Sequence, residues 1–294
     1  MDAPPLPARL PLFQVNAFTG PHAPLGTPGA LTGNPAAVCP LERWLPDPVL
    51  AAIAAENDLS ETAFFVAQPS GAAAPFALRW FTPAVEVDLC GHATLASAAV
   101  ILRELEPARR EVSFDSASGV LGVRREGAGV DELLALDFPV RPASPAASGA
   151  QELLAGALGA RPEAVLAIAH ESTAAVRGYL CVYPDEASVR ALRPDMGALV
   201  ERVHARVLAT APGERVDFVS RFFAPDAGVP EDPVTGSAHC TLVPYWAARL
   251  GKRELHAWQV SARGGELFCS LHGAGRVRIA GRARLYLRGE IALV

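Results

Sequence analysis

At 294 residues the chain is longer than one hydrophobic core ordinarily serves, so two domains are expected. Half of its residues are hydrophobic, 19% are charged and the net charge is −5, which excludes the basic surplus of a nucleic-acid or anionic-membrane binder. Its five cysteines are scattered without a CxxC pair, which excludes a disulfide framework or a structural zinc site and leaves reduced thiols in a cytoplasmic protein as the expectation.

The opening MDAPPLPARLPLF lacks the basic start and apolar core of a signal peptide, and no apolar run approaches the roughly 18 residues of a membrane helix. Alternating patterns then predict strands at 12–18, 62–68, 76–81, 111–116 and 133–140. Between them, 46–57 is an Ala-rich helix with Pro in its first turn. Residues 91–105, GHATLASAAVILREL, are apolar nearly all round, the pattern of a helix buried inside a sheet. The Pro-, Ala- and Ser-rich stretch 139–150 reads as a surface connection. Beyond it, helices are predicted at 151–159, 186–204 and 236–250, and strands at 178–183, 206–210, 216–223, 257–262, 265–271 and 276–288. The expected division is an N-terminal lobe, 1–128, to which a terminal strand at about 281–294 returns, and a C-terminal lobe, 129–280.

The second half repeats the first. Arg79-Trp80-Phe81 recurs 142 positions later as Arg221-Phe222-Phe223, Asp88 meets Asp232 at 144, Gly91 meets Gly236 at 145, and Thr94-Leu95 meets Thr241-Leu242 at 147. Order is kept throughout, so two similar lobes in tandem are expected, each with a strand, an acidic turn and a helix started by Gly.

If the lobes face each other, both helix starts present unsatisfied N–H groups and partial positive charge to one cleft, which suits a small anion. Gly91 and Gly236 would let backbone and ligand approach closely, although they could equally ease a tight turn. The chemistry-bearing residues nearby are Cys90, His92, Asp232, Thr235, Ser237 and His239, joined by Glu61. Each has a plainer role open to it: Glu61 as a solvated turn residue, Asp88 or Asp232 as a helix cap, His92 as a cap or packing residue, Cys90 as a small buried hydrophobe. No GxGxxG, Walker or HExxH motif and no metal-spaced Cys/His pair is present, and the single lysine, Lys252, sits at a predicted helix end, a poor place for a pyridoxal lysine. Acid–base catalysis by side chains, with no cofactor and no metal, is the expectation.

Four motifs in order, GNPAAV (33–38), LSETAFF (59–65), RWFTPAVEVDLCGHATLASA (79–98) and EDPVTGSAHC (231–240), resemble those of the PhzF-like family of phenazine-biosynthesis isomerases. The resemblance implies the α+β diaminopimelate epimerase-like fold: two pseudo-symmetric lobes, each a mixed β-sheet or barrel wrapped around a central α-helix, with a small carboxylate substrate between them. It implies Glu61 as the general acid/base that moves a proton between substrate carbons, with Asp232 and His92 assisting and Gly91, Gly236 and Ser237 holding the substrate. A Glu shielded from water would have its pKa raised towards neutrality, as a shuttle requires. A homodimer is also implied. Cys90 departs from the isomerase pattern. It falls where related two-thiol racemases keep a cysteine, and the second thiol would fall on Thr235, a pairing like that of certain hydroxyproline dehydratases. The alternatives are therefore a Cys/Thr-type dehydratase or racemase relative and a non-catalytic metabolite-binding or interaction protein.

Overall fold

The structure, a computed structural model, describes residues 5–20, 31–129, 132–169 and 176–293. The chain forms two compact units, one comprising Met1–Ala17, Pro35–Leu136 and Arg282–Val294, the other Phe18–Asn34 and Asp137–Gly281. Among the described residues no helix is long and apolar enough to cross a membrane.

In chain order the first unit carries β1 (Arg9–Thr19, its end passing into the second unit), β2 (Asn34–Leu41), α1 (Asp47–Asn57), β3 (Glu61–Ala67), β4 (Phe76–Phe81), β5 (Glu86–Val87), α2 (Gly91–Val100), β6 (Glu111–Ser116), β7 (Gly119–Glu126) and β8 (Leu133–Pro139). β2/β3 and β4/β6 are parallel pairs, while β3/β4, β6/β7 and β7/β8 are antiparallel. A parallel pair needs a crossover, and α1 and α2 supply the two. α1 has Pro48 in its first turn, where a missing N–H costs nothing, and buries Leu50, Ile53 and Ala54 in a core with Leu10, Cys39, Phe64 and Phe81.

All ten residues of α2 are buried. Small side chains such as Ala93, Ala96 and Ala98 let neighbouring strands approach. Its two hydroxyls return to the helix backbone, Thr94 Oγ1 donating to the Cys90 carbonyl at 2.5 Å and Ser97 Oγ to that of Ala93 at 2.8 Å. A π-turn, Ile101–Leu105, extends the helix, so the whole of 91–105 is helical.

The second unit carries β9 (Ser144–Pro145), α3 (Ala150–Leu158), β10 (Ala164–Ala169), β11 (Val176–Val182), α4 (Glu186–Ala191), α5 (Met196–Ala198), β12 (Arg206–Pro212), β13 (Phe218–Ala224), β14 (Val229–Asp232), α6 (His239–Leu250), β15 (Glu254–Gln259), β16 (Gly265–His272) and β17 (Arg276–Ala292), the last running on into the first unit. Here β11/β12 and β13/β15 are parallel, and β12/β13, β15/β16 and β16/β17 antiparallel. This is the pairing order of the first unit, with α6 in the place of α2. The duplication extends to side chains. Arg79 Nε lies 2.6 Å from Glu86 and its guanidinium 5.1 Å from the Phe81 ring; Arg221 Nε lies 2.7 Å from Glu231 and its guanidinium 5.0 Å from the Phe223 ring. Both are two-pronged Arg–carboxylate forks that tie the short acidic strand to its neighbour.

α6 contains Pro244, which cannot donate to the carbonyl four residues earlier. That carbonyl, of Cys240, accepts instead from the Arg141 N–H at 2.8 Å, while Thr241 Oγ1 donates to the Arg141 carbonyl at 2.7 Å. Stretch 139–150 is largely exposed and contributes β9, which pairs with β10.

Some expectations need correction. Helix 186–204 is broken: Leu192 leaves the helical region, Pro194 disfavours a helical Arg193, and the chain restarts at Asp195, whose carboxylate caps the Ala198 N–H at 3.0 Å. The strand predicted at 257–262 begins and ends three residues earlier, and β2, β5, β7, β9, β10 and β14 lie outside the predicted strands.

Gly265 is enforced by packing, since a Cβ there would lie 2.3 Å from Val234 Cγ2 and 2.5 Å from the Phe18 carbonyl oxygen. Gly265→Ala is expected to lower the unfolding free energy by about 1–3 kcal/mol, as overpacked sites do. An unchanged urea midpoint would show that the packing around Val234 yields without cost.

Candidate active site

The candidate residues fall into two groups, one in each unit, and each has its own geometry. In the first unit Glu61, Cys90, Gly91 and His92 come together. Glu61 opens β3 in register with Ala36 of β2, and the end of α1 is tied alongside by Asn57 Nδ2 donating to Thr62 Oγ1 at 3.0 Å. Its side chain is 16% exposed and so is neither fully buried nor a solvated turn residue. His92 lies in the first turn of α2, its side chain 3% exposed.

Both ring nitrogens of His92 have a polar neighbour. Nε2 lies 3.2 Å from Glu61 Oε2, and Nδ1 lies 3.4 Å from Cys90 Sγ. Burial pushes the His92 pKa down to about 3, so at neutral pH the ring is uncharged and its contact with Glu61 is not an ion pair. Cys90 occupies the N-cap of α2 in extended conformation, and its side chain makes no capping bond. The Gly91 end of the helix is thus without a side-chain cap, as an anion-accepting terminus requires.

In the second unit Asp232 ends β14 and is buried within a network of amides and hydroxyls. Asn34 Nδ2 donates to Asp232 Oδ1 at 2.7 Å and to the Val234 carbonyl at 3.0 Å, and Thr235 Oγ1 donates to Asp232 Oδ2 at 2.5 Å. Gln259 clamps the same loop from β15: its Nε2 donates to the Asp232 carbonyl at 2.7 Å and its Oε1 accepts from the Thr235 N–H at 2.8 Å. Burial outweighs these donors and raises the Asp232 pKa to about 6. His239 donates through Nδ1 to the Thr235 carbonyl at 3.0 Å, and burial pushes its pKa down to about 4. Gly236 is buried and Ser237 half-buried in the single 3-10 turn that precedes α6.

Neither aspartate considered as a helix cap is one. Thr235, the residue before that turn, makes no side-chain capping bond, and Asp232 takes the Thr235 hydroxyl instead. Asp88 is exposed, and its backbone carbonyl accepts from Ser118 Oγ at 2.8 Å. Sequence reasoning missed Asn34 and Gln259 as parts of the Asp232 network. Asn34 lay within a quoted motif without a role, and Gln259 had one signal: it occupies the inward phase of a strand whose other inward residues are Leu255 and Ala257.

A family model described as "Phenazine biosynthesis-like protein" matches residues 26–289. The chain is 48% identical over 285 residues to an uncharacterized isomerase of Pseudomonas aeruginosa, covering 97% of this chain and 100% of that protein. It is 40% identical to the human phenazine biosynthesis-like domain-containing protein, with 96% and 99% covered. Among solved structures, a phenazine biosynthesis protein of the PhzF family from Enterococcus faecalis is similar at TM-score 0.81 and 41% identity, over 97% of this chain and 100% of that one. A hydroxyproline epimerase from Agrobacterium vitis, 11% identical over 97% and 93% of the two chains, shares the fold at TM-score 0.57.

Proposed function

The chain belongs to the phenazine biosynthesis-like family, and from that premise we propose that it is an isomerase that moves a proton between carbons of a small carboxylate substrate, with Glu61 as general acid/base. The observation that carries the reading is the Glu61–His92 contact: a partly exposed carboxyl group 3.2 Å from a ring that burial keeps neutral. A neutral imidazole orients the carboxyl without holding it permanently ionised, so Glu61 can accept a proton and return it. No step in this reaction calls on a cofactor or a metal. The uncapped start of α2 at Gly91 supplies N–H donors suited to the substrate carboxylate. In the second unit, Asp232 acts as the assisting acid, with Gly236 and Ser237 as substrate-holding groups.

Thr235 donates its hydroxyl to Asp232 at 2.5 Å, and in this reading it belongs to the Asp232 network. The reading is tested by screening small cyclic carboxylates and amino acids by thermal shift, since a ligand of the native state raises its apparent stability. Each hit is then incubated with the protein in D2O. Deuterium entering a carbon position of a hit supports the isomerase; hits that bind and never exchange identify a metabolite-binding protein instead.

A further inference from the structure

Cys90 has no place in that reaction, yet its thiol belongs to the same cluster as Glu61. Among the described residues, Glu61, Cys90 and His92 are the group of His, Cys, Asp or Glu side chains in which three ligand atoms, a carboxylate oxygen, the sulfur and a ring nitrogen, all lie within 4.8 Å of one another. Two separations are short: Sγ is 3.4 Å from Nδ1, and Oε2 is 3.2 Å from Nε2. A zinc ion bound at its usual lengths, about 2.3 Å to sulfur and about 2.0–2.2 Å to nitrogen and oxygen, sets tetrahedral ligand atoms about 3.4–3.6 Å apart. Gathering the three atoms around one ion therefore takes about an ångström of side-chain movement. Cys90 and His92 are buried at the start of α2; Glu61 opens β3, against which α2 packs, and its partly exposed side chain has room to turn.

We propose that these three side chains form a zinc site that switches off the proton transfer by taking Glu61 as a ligand. The donor set selects the ion. A thiolate and an imidazole suit a borderline-soft divalent cation, whereas magnesium and calcium take oxygen ligands. Three protein ligands leave the fourth tetrahedral position to water, the arrangement of an open zinc site and not of a closed structural one. Charge balances as well. The start of α2 carries partial positive charge that repels a bare cation, but the same charge favours a thiolate, and thiolate and carboxylate together neutralise the ion. On binding, the Cys90 S–H bond breaks, its proton passes to solvent and an S–Zn bond forms, with no change of oxidation state. A carboxylate bonded to zinc no longer takes a proton from carbon, so the loaded form is inactive. That consequence rests on the Glu61 reading; the binding of the ion does not.

Binding is read without any substrate, by titrating the reduced full chain with cobalt(II) and then with zinc, in the absence of thiol reagents. Cobalt is expected to bind at one equivalent with a thiolate-to-metal charge-transfer band in the near ultraviolet, and one equivalent of zinc to remove that band. The background is quiet, because the other cysteines are buried and burial holds the thiols of Cys39, Cys181 and Cys269 protonated. Cys90→Ser is expected to lose the band and to weaken zinc binding by more than the roughly 10–100-fold that loss of an outer supporting group costs. Ser is a favoured residue before a helix, so the start of α2 is kept. Glu61→Gln should also bind zinc more weakly. In the deuterium assay, one equivalent of zinc is expected to stop exchange in the wild type, a chelator to restore it, and Cys90→Ser to exchange at the same rate with that zinc as without it. The site is overturned if cobalt binds with no thiolate band, or if Cys90→Ser binds zinc as tightly as the wild type, which would place the ion elsewhere. If Cys90→Ser fails to fold, zinc affinity unchanged in Glu61→Gln overturns it instead. Zinc held by Cys90 that leaves exchange intact overturns the switch. Failure of the Glu61 reading looks different: Glu61→Gln would exchange deuterium at the full rate, and the cobalt band would still report the site.

Discussion

Glu61→Gln is expected to lose about 10²–10⁴-fold in the rate of deuterium incorporation from D2O into a bound carboxylate, the range typical for removal of a general acid/base. Gln is nearly the same size and fills the same place beside His92 Nε2, so the strand start and the helix turn are held as before. Only the ability to take and give a proton is removed. The thermal midpoint of the variant should therefore stay close to that of the wild type, and its affinity for the carboxylate should fall little compared with its rate. Full exchange in Glu61→Gln would remove Glu61 from the reaction.

Asp232→Asn should produce the largest change in the pH dependence of stability. Burial raises the folded-state pKa of Asp232 from 3.8 to about 6, so the folded chain favours the protonated acid. The stability this group contributes is fully present below 3.8 and is lost as pH rises through about 6. A shift of that size corresponds to about 3 kcal/mol. Asn keeps an oxygen for Asn34 and turns an amide towards Thr235 Oγ1, which can accept it. The expected result is a variant of similar stability to the wild type near pH 4 and greater stability at pH 8, by up to about 3 kcal/mol, as measured by urea unfolding across that range. Parallel pH profiles for the two proteins would show that Asp232 is held ionised at no cost. Keeping a carboxyl group that destabilises the folded chain at neutral pH is the pattern expected of a group retained for chemistry.

The duplication was legible because it is written in residue types that sequence preserves. Arg79 and Arg221 with their following phenylalanines mark the same clamp twice, and the glycines at 91 and 236 mark the same entry into a helix. What escaped has physical causes. β2 reads NPAAVCPL, with two prolines and small residues in place of a β-branched alternation, and its strand is made by pairing with β3. The broken helix at 192–195 hid behind continuous apolar periodicity, although Pro194 was there to be weighed against it. Of the candidate residues, Glu61, His92 and Asp232 could be named from motifs, but the buried amides of Asn34 and Gln259 reach Asp232 across sequence separations that spacing does not encode.

The two arginine forks, alike to within a tenth of an ångström in their Nε contacts, stand beside helix entrances that differ: Cys90-Gly91-His92 in one half and Thr235-Gly236-Ser237 in the other. A tandem gene duplication frees each daughter copy to specialise, and here divergence has spared the girder and rewritten the doorway. At the helix start itself one half carries a thiol and an imidazole and the other two hydroxyls, so halves that repeat the same clamp present different chemistry at the same place.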